Sequence, residues 1–254
     1  MRREWNQKTP QFYTPVDLAT DRPDTTEAAF TVPKGMFQVE ATVFGYSRDR
    51  ADGVLTETFT WGGLNLKYGL TDRTDFQVVF DTHTVEYTNE HGVRNTTAGF
   101  SDITLRLKQN LRGNREDGLA VALMPFVKIP TDTVFSNREW EGGLIIPFGI
   151  EVNDLLTVNW MVEGDIVYNS DKDRHEGVLV HTVSLAWNLE RAIPKVGLFT
   201  EFAGEVGGGP YRGSVNAGFT YGFTENVQFD AAVNFGVTDP AVDFACFTGI
   251  SFRF

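Results

Sequence analysis

From Gly35 to Phe254, apolar and polar residues alternate with a period of two over long stretches of the chain. Successive side chains of a β-strand point to opposite faces, so this pattern predicts strands with one apolar and one polar face. Helical periodicity occurs nowhere at useful length. Twelve strands are predicted, at residues 36–46, 55–69, 74–87, 98–111, 118–130, 139–152, 155–168, 177–189, 196–206, 211–223, 226–237 and 243–254.

The length of these strands bears on the architecture. Strands of a β-sandwich average about five or six residues, and most of these segments are about twice as long. Side chains just fill a barrel of about eight strands, so twelve strands enclose a space too wide for a dry core. The polar faces then line the interior, and the apolar faces, with aromatic residues near the strand ends, face lipid. We predict an all-β fold, a single 12-stranded antiparallel up-and-down transmembrane β-barrel at residues 35–254, with an irregular N-terminal segment at residues 1–34.

The final stretch, residues 244–254, alternates up to an aromatic residue at its tip. This is typical of the closing strand of an outer-membrane barrel, which must pair with the first strand because lipid cannot satisfy free backbone groups. Phe252 and Phe254 are therefore predicted to act in assembly. The expected partners are outer-membrane lipid and, through this strand, the barrel assembly machinery.

Prolines and glycines interrupt the alternation. Pro125, Pro130 and Pro147 lie in or near two predicted strands, where proline removes a donor from the ladder, so a bulge or broken pairing is expected. The pair Gly62-Gly63 shifts the phase of the second strand, which also predicts a bulge. Residues 89–97 are predicted to form a charged loop.

The composition excludes several classes of function. The chain has 34 Asp and Glu residues against 22 Lys and Arg residues, with a formal charge of -12. This balance argues against nucleic acid as a partner, because phosphate contacts need clustered basic residues. The single cysteine excludes an intrachain disulfide and a CxxC metal site, and we predict no metal and no cofactor. The polar residues after Met1 predict that a signal peptide is absent from this chain.

A lipid hydrolase is the least favoured alternative. Some outer-membrane barrels, such as outer-membrane phospholipase A, carry a Ser–His pair on the lipid-facing surface, and the two residues must share a face. Here His181 lies on an apolar face, whereas Ser184 is three residues along and faces inward. We therefore predict no catalytic residue and no enzymatic activity.

The N-terminal segment holds four of the ten prolines and shows no sustained period. Its polar centre, residues 17–27, fits either a disordered tail or a segment inserted into the lumen, with Arg22 paired to carboxylates there. The candidate plug residues of the second interpretation are Asp21, Arg22, Asp24 and Glu27.

Several stretches of the chain, taken in order, resemble a known family. They are residues 20–27 (TDRPDTTE), 30–35 leading into 37–40, 69–75 (GLTDRTD), 99–103, and the end from 226–230 to 249–254. The chain resembles the MetA-pathway phenol-degradation family of outer-membrane transporters over most of its length. The resemblance implies a signal-exported outer-membrane barrel that moves small molecules, with aromatic ones as the expected class.

The predicted inward phase gives the lumen an acidic excess, which favours cations if the lumen is open. The candidate lumen and permeation residues are Lys67, Asp81, His83, Asp102, Arg106, Lys108, Lys128, Glu163, Asp165, Glu201, Glu205, Arg212 and Asp230. We predict a bacterial outer-membrane channel for passive passage of small, aromatic or hydrophobic solutes through a polar, net-acidic lumen. A plugged scaffold barrel that binds a partner through its loops is the alternative.

Overall fold

The computed structural model describes residues 18–114 and 118–254, so residues 1–17 of the predicted N-terminal segment lie outside the described residues. The described chain is all-β. Its strands are β1 (Phe37–Ala51), β2 (Val54–Thr71), β3 (Thr74–Glu90), β4 (Val93–Gly99), β5 (Ile103–Arg112), β6 (Leu119–Ile129), β7 (Glu141–Asn153), β8 (Leu156–Asn169), β9 (Arg174–Asn188), β10 (Val196–Val206), β11 (Arg212–Thr224), β12 (Val227–Gly236) and β13 (Phe244–Arg253). In these described ranges, no helix is long and apolar enough to cross a membrane.

The strands form a closed antiparallel ring. Apart from β4 and β5, each strand pairs with its neighbours in the chain, and β1 closes the ring by pairing with β13 from Gln38 opposite Arg253 to Arg48 opposite Phe244. Strands β4 and β5 both pair with β3, at its two ends, and together fill one position of the ring. The predicted 12-stranded meander is therefore confirmed, with one strand divided in two.

The division of this strand corrects two predictions. A continuous strand at 98–111 and a loop at 89–97 were both wrong, because the chain forms a tight hairpin between β3 and β4 and then breaks at residues 100–102. At the break, side chains replace the missing ladder bonds. The Ser101 hydroxyl accepts a hydrogen bond from the Asp81 amide (2.6 Å), and the Asp102 carboxylate accepts one from the Thr131 amide (2.9 Å).

The expected irregularities lie where the sequence placed them. The β5–β6 ladder skips the positions around Pro125, and the β6–β7 ladder skips those around Pro147, with the register unchanged on both sides. Pro130 follows the last residue of β6. Gly62 has a φ of 65°, which a side chain would strain, and the β2–β3 ladder is interrupted there without a change of register.

The two faces of the ring have opposite polarity. Large apolar side chains are exposed on the outside, as a lipid-facing surface requires. Examples are Leu66, Phe76, Leu107, Leu144, Val162, Val183, Leu198, Phe202, Val215, Phe219 and Phe235. The buried interior is mostly polar, and it includes Gln38, Glu40, Lys67, Asp75, Gln77, Lys108, Asn110, Glu201, Asn216 and Asp230. The predicted transmembrane polarity is therefore confirmed.

The closing strand gives a testable expectation for assembly. Phe252 pairs with Val39 of β1 and Val227 of β12, and the ring of Phe254 stacks on Phe37 at 5.9 Å. Deleting residues 252–254 removes pairs on both sides of β13, so backbone groups would be left unpaired in lipid. We expect the deletion to abolish the heat-modifiable gel migration of the folded barrel. The matched control is Phe252→Leu with Phe254→Leu, which keeps the strand length and should still fold; normal migration of the deletion variant would contradict the role of this strand.

Candidate functional site in the barrel lumen

Residues 18–34, called here the inner segment, lie inside the ring of strands. The inner segment makes polar contacts with β1, β2, β3, β5, β9, β10, β11 and β12, which lie on all sides of the barrel. A segment outside the ring could not reach all of them. The contacts combine three of the predicted plug residues with charged side chains of the wall.

Asp21 is the centre of the first group of contacts. Its carboxylate pairs with Lys67 of β2 and with Lys108 of β5 (2.6 Å), and Lys67 also pairs with Glu40 of β1. Both lysine side chains are almost fully buried, at 3% and 1% exposure. Burial by itself would raise the pKa of Asp21, but Lys108 and Lys67 outweigh it and hold the pKa well below its usual range. The carboxylate therefore stays charged in the lumen.

Arg22 joins the inner segment to the closing strands. Its Nε and Nη2 donate to the two oxygens of Asp230 on β12, at 3.1 and 2.8 Å, and its Nη1 donates to Thr42 of β1 at 2.7 Å. The guanidinium also lies 5.2 Å from the centre of the Phe247 ring on β13. Any side chain at Gly249 would collide with this guanidinium, so the glycine creates the space that Arg22 fills. The predicted pairing of Arg22 with a lumen carboxylate thus has Asp230 as its partner.

Glu201 of β10 caps the next turn of the inner segment. Its carboxylate accepts hydrogen bonds from the amides of Thr25 (2.9 Å) and Thr26 (2.7 Å), from the Thr26 hydroxyl (2.6 Å) and from Asn216 (2.6 Å). Burial, followed by the negative charge of Glu201, raises the pKa of Asp24 to about 8. Asp24 is therefore largely protonated at neutral pH.

Glu27 faces β5 on the opposite side of the lumen. It accepts a hydrogen bond from Arg106 at 2.6 Å, and its other oxygen lies 3.9 Å from Lys108. Burial, followed by the charge of Asp21, raises the pKa of Glu27 to about 7, although Arg106 and Lys108 act in the opposite direction. Near neutral pH this carboxyl group is therefore partly protonated, whereas Asp21 is ionised.

The remainder of the inner segment is held by uncharged donors and by one carboxylate. Asn110 donates to the Ala29 carbonyl at 2.8 Å, the Thr31 amide donates to Asn114 at 3.1 Å, and the Val32 amide donates to Asp75 at 2.9 Å. The candidate site residues named from the sequence omitted all of these wall groups. For Asp75 and Asn110 the signal was their position on the polar face of a strand, whereas Asn114 lies in the turn after β5, where the alternation gives no signal.

The upper half of the lumen, towards the long loops, holds the other candidates. Lys128 pairs with Glu141 and lies 3.6 Å from Asp102, and Arg212 pairs with Glu205 at 2.5 Å. The acidic candidates Glu163 and Asp165 of β8 both lie within electrostatic reach of Arg106, and Glu163 also lies near Glu27 of the inner segment.

One lumen candidate points the other way. His83, predicted to face inward near Asp81, is exposed and lies 5.9 Å from the ring of Trp61 on the outer face. The reason is the irregularity at Gly62. In the facing part of β3, the inward side chains are Asp81 and then Thr84, three residues on instead of two, so His83 points outward. Asp81 keeps its place at the strand break, where its amide bonds Ser101.

The residues weighed for lipid hydrolysis do not meet. His181 stacks on Tyr211 with ring centres 5.9 Å apart and lies near Phe202 of the outer face. Ser184 is fully buried on the inner face. Among residues 18–114 and 118–254, no cluster of three His, Cys, Asp or Glu side chains could hold a metal ion. The absence of enzymatic activity stays a prediction.

Two contiguous cavities lie between the inner segment and the wall formed by β8 to β12. The larger cavity has a volume of about 540 Å³ and opens beside two turns, one that contains Glu190 and Lys195 and one that contains Glu225. The smaller, about 100 Å³, continues past Leu18 and Gln228 and ends at Asp24 and Thr26. The larger cavity therefore lies at the end of the barrel where the short turns are, and the inner segment lines mainly the smaller one.

Comparison with known proteins identifies the family. The model of the family described as "Putative MetA-pathway of phenol degradation" matches residues 20–254. The chain belongs to this family. The match begins at Thr20, so it includes Asp21, Arg22, Asp24 and Glu27 of the inner segment. No curated protein sequence matches the chain significantly.

Solved structures share the fold of this family member at low sequence identity. The COG4313 outer membrane channel from Pseudomonas putida F1 is 15% identical with a TM-score of 0.69, and the match covers 92% of this chain and 99% of that one. The NanC porin is 10% identical with a TM-score of 0.54, covering 85% and 98%. The translocator domain of the autotransporter NalP from Neisseria meningitidis is 13% identical with a TM-score of 0.51, covering 88% and 90%. Because this fold serves both porins and a translocator domain, it does not by itself define a function.

The contacts of Arg22 predict how the inner segment can be released. Arg22→Ala leaves the fully buried Asp230 carboxylate without its cation, a change that typically costs about 3–5 kcal/mol. We expect faster hydrogen exchange of the Asp21, Thr25 and Thr26 amides, whose acceptors are Glu40 and Glu201. Exchange is measured by mass spectrometry on the folded barrel.

The paired control for this experiment is Asp230→Asn, which removes the ion pair but keeps an oxygen that can accept from Arg22, whose guanidinium is 15% exposed and still donates to Thr42. It should accelerate exchange less than Arg22→Ala does. Equal protection of the three amides in Arg22→Ala and the unmodified protein would show that the ion pair does not hold the inner segment.

Proposed function

We propose that the protein is an outer-membrane channel for passive passage of small solutes, and that the inner segment is its constriction. The observation that carries the proposal is the way the inner segment is held. Ion pairs and hydrogen bonds fix it to the wall, and cavities of about 540 and 100 Å³ remain beside it. Apolar packing adds a smaller contribution, from Ala29 and Phe30 against Ala120 and Ala122 of β6. Movement of one polar segment would join these cavities to the upper lumen.

The location proposed for the channel is the bacterial outer membrane. The apolar exterior of the closed ring fits a lipid environment, since a closed barrel satisfies every backbone group within the wall. Family membership supports the same location, as does the fold shared with the COG4313 outer membrane channel. Assembly through the barrel assembly machinery, with β13 as the recognised strand, belongs to this proposal.

The solutes proposed are small molecules that combine an aromatic ring with a polar group, either neutral or cationic. The narrow cavity is lined both by apolar groups such as Pro23, Ala186 and Phe199 and by polar groups such as Asn159 and Thr220. A volume of about 100 Å³ limits the passenger at this point to a small molecule. The name of the family, which refers to phenol degradation, is consistent with this class of solute.

The proposed preference for cations rests on the pairing of the lumen charges. The basic residues Lys67, Lys108 and Arg22 are engaged with carboxylates at the inner segment. Glu163 and Asp165 add two acidic groups higher in the lumen, where a ring of one charge sign biases the passing ions. Release of the inner segment would free Lys67 and Lys108 from Asp21, but Lys67 would keep Glu40, and Glu201 and Asp230 would join Glu163 and Asp165 as acidic groups facing the pathway.

Planar-bilayer recordings test the channel and its constriction together. Deletion of residues 18–30 removes the contacts of Asp21, Arg22 and Glu27, so we expect a higher single-channel conductance with assembly preserved. In a salt gradient, the reversal potential of the deletion variant should show cation preference. Glu163→Gln with Asp165→Asn should reduce that preference, whereas Asp132→Asn in an exposed loop, the matched control, should not.

Two results of these recordings would contradict the proposal. A clear anion preference would refute the role of the acidic groups. Absence of conductance both with and without the inner segment, together with no swelling of liposomes in small sugars or phenols, would indicate a plugged scaffold instead.

The raised pKa values of Asp24 and Glu27 predict that pH controls the constriction. The pKa of Asp24 is about 8 instead of 3.8, and that of Glu27 is about 7 instead of 4.5. At a pH between the ordinary and the raised value, each group is therefore protonated in the docked segment and ionised in a released one. Docking is therefore strongest at the acidic end of this range and weakens as the pH rises through 7 and 8. We expect the open probability to rise over the same interval.

A double variant separates this effect from other titrations. Asp24→Asn with Glu27→Gln cannot lose these protons, so its open probability should change little across the interval. The same rise in the double variant as in the unmodified protein would show that other groups are responsible. Asp21 does not interfere, because its pKa lies well below this range.

A further inference from the structure

Strands β1 to β3 are longer than a membrane requires. They contain 15, 18 and 17 residues, whereas about 9–11 residues cross a bilayer when tilted. Their excess length lies at the end of the barrel where β1 joins β2 and β3 joins β4. This end is opposite the one where β2 joins β3 and β11 joins β12. The outer face of this extension, called here the hairpin face, stands at and above the membrane boundary.

A cluster of aromatic rings forms the lower part of the hairpin face. Phe59 stacks on Trp61 at 6.0 Å with nearly parallel planes, and Phe44 contacts both rings at 6.3 and 6.0 Å. Tyr46 lies 5.1 Å from Phe59, and Tyr87 meets Phe59 edge to face at 5.8 Å. Aromatic side chains concentrate at the level of the lipid headgroups, so this cluster marks that boundary.

Three arginines stand at the upper edge of the aromatic cluster. Cross-strand pairing places Arg50, Leu55, Asn89 and Arg94 in one row, since each is directly opposite the next. Arg48 lies two residues below Arg50 on the same face, about 7 Å along the strand. Three strand spacings separate Arg50 from Arg94, or about 14 Å, which long arginine side chains span in part.

These arginines are exposed, and in the described part of the chain none of them forms an ion pair, although Arg48 lies directly opposite Glu57 in the β1–β2 ladder. None of the ion pairs in the described parts of the chain uses Arg48, Arg50 or Arg94. Arg94 lies over the Tyr87 ring, 4.2 Å from its centre. Glu57 is the acidic neighbour on this face, and it accepts a hydrogen bond from Tyr46 at 2.8 Å. The whole chain has a formal charge of -12, whereas this surface carries three arginines against one glutamate. Such a local excess of positive charge favours an anionic ligand.

The position of the arginines above the aromatic cluster indicates which kind of anionic ligand fits this surface. An arginine binds phosphate through two parallel hydrogen bonds, and an aromatic surface directly below suits acyl chains. The ligand must therefore carry phosphate immediately above several acyl chains. In the outer leaflet of an outer membrane, the lipid A part of lipopolysaccharide has this arrangement, with phosphates on a disaccharide that bears the chains.

We propose that the hairpin face binds lipopolysaccharide, with Arg48, Arg50 and Arg94 on the lipid A phosphates and with Phe44, Phe59 and Trp61 against its acyl chains. This inference rests on the proposed outer-membrane location and is independent of channel activity. Bound lipid would tie the projecting hairpins to the leaflet and so fix one side of the outer mouth of the barrel.

Native mass spectrometry of the folded full chain in detergent, with bisphosphorylated lipid A as the probe, tests the proposal. The test variant combines Arg48→Gln, Arg50→Gln and Arg94→Gln. We expect its apparent affinity for lipid A to fall by at least about tenfold, which corresponds to about 1.4 kcal/mol. The matched control combines Arg138→Gln, Lys172→Gln and Arg174→Gln, which removes the same charge from loops at the same end, where these residues pair with Asp132 and Glu176. The control should bind as the unmodified protein does.

Two further probes identify the source of the phosphate. Dephosphorylated lipid A should bind weakly to the unmodified protein, and phosphatidylglycerol should bind weakly and without dependence on the three arginines. Equal binding of lipid A to the test variant and the unmodified protein would overturn the proposal, as would tight binding of dephosphorylated lipid A. Strong arginine-dependent binding of phosphatidylglycerol would overturn it in favour of a general anionic lipid surface.

Folding is checked independently by heat-modifiable migration of each variant. If the triple variant does not fold, the single variants Arg50→Gln and Arg94→Gln, which lie at the two ends of the row, are measured instead and should each weaken lipid A binding. Conductance recorded in bilayers without lipid A separates this proposal from the proposed channel function, because failure of one leaves the other measurable.

Discussion

The pairing of β1 with β13 is the constraint on which the rest of the structure depends. It satisfies the backbone groups along the outer edges of β1 and β13, so the ring closes without leaving either of these strands as an edge in lipid. Closure with apolar side chains outside directs the polar face of every strand into one shared interior. The buried lysines, carboxylates and amides of that interior then need partners, and the inner segment provides many of them.

The inner segment has a charged part and an uncharged part. From Asp21 to Glu27 it meets Lys67, Lys108 and other charged wall groups, whereas from Ala29 to Val32 it is held largely by amides. A charged contact in a medium of low polarity is costly to leave incomplete, which gives the first part a defined position. Asp24 and Glu27 of the same part change protonation near neutral pH. The residues that hold the inner segment in place therefore also make its docking depend on pH.

Much of the fold was predictable from the sequence, because alternation records which side of a strand faces lipid. The phase placed Lys67, Lys108 and Glu201 inside correctly, and proline chemistry located the gaps in the ladder at Pro125 and Pro147. His83 was misplaced because a phase change in β3 depends on Gly62 of the neighbouring strand. The break at residues 100–102 escaped prediction because loop groups such as Thr131 replace its ladder bonds. Partners such as Arg22 and Asp230 lie far apart in sequence, and no local pattern relates them.

The spread of the contacts made by the inner segment has a consequence for the order of assembly. Arg22 alone requires β1, β12 and β13 together, and Glu201 binds Thr26 from a further part of the ring. The position that binds Arg22 is therefore incomplete until β1 has paired with β13, whereas Glu201 needs only its neighbours β9 and β11. We expect the ring to close before Arg22 docks, so that its docking displaces water from the polar interior.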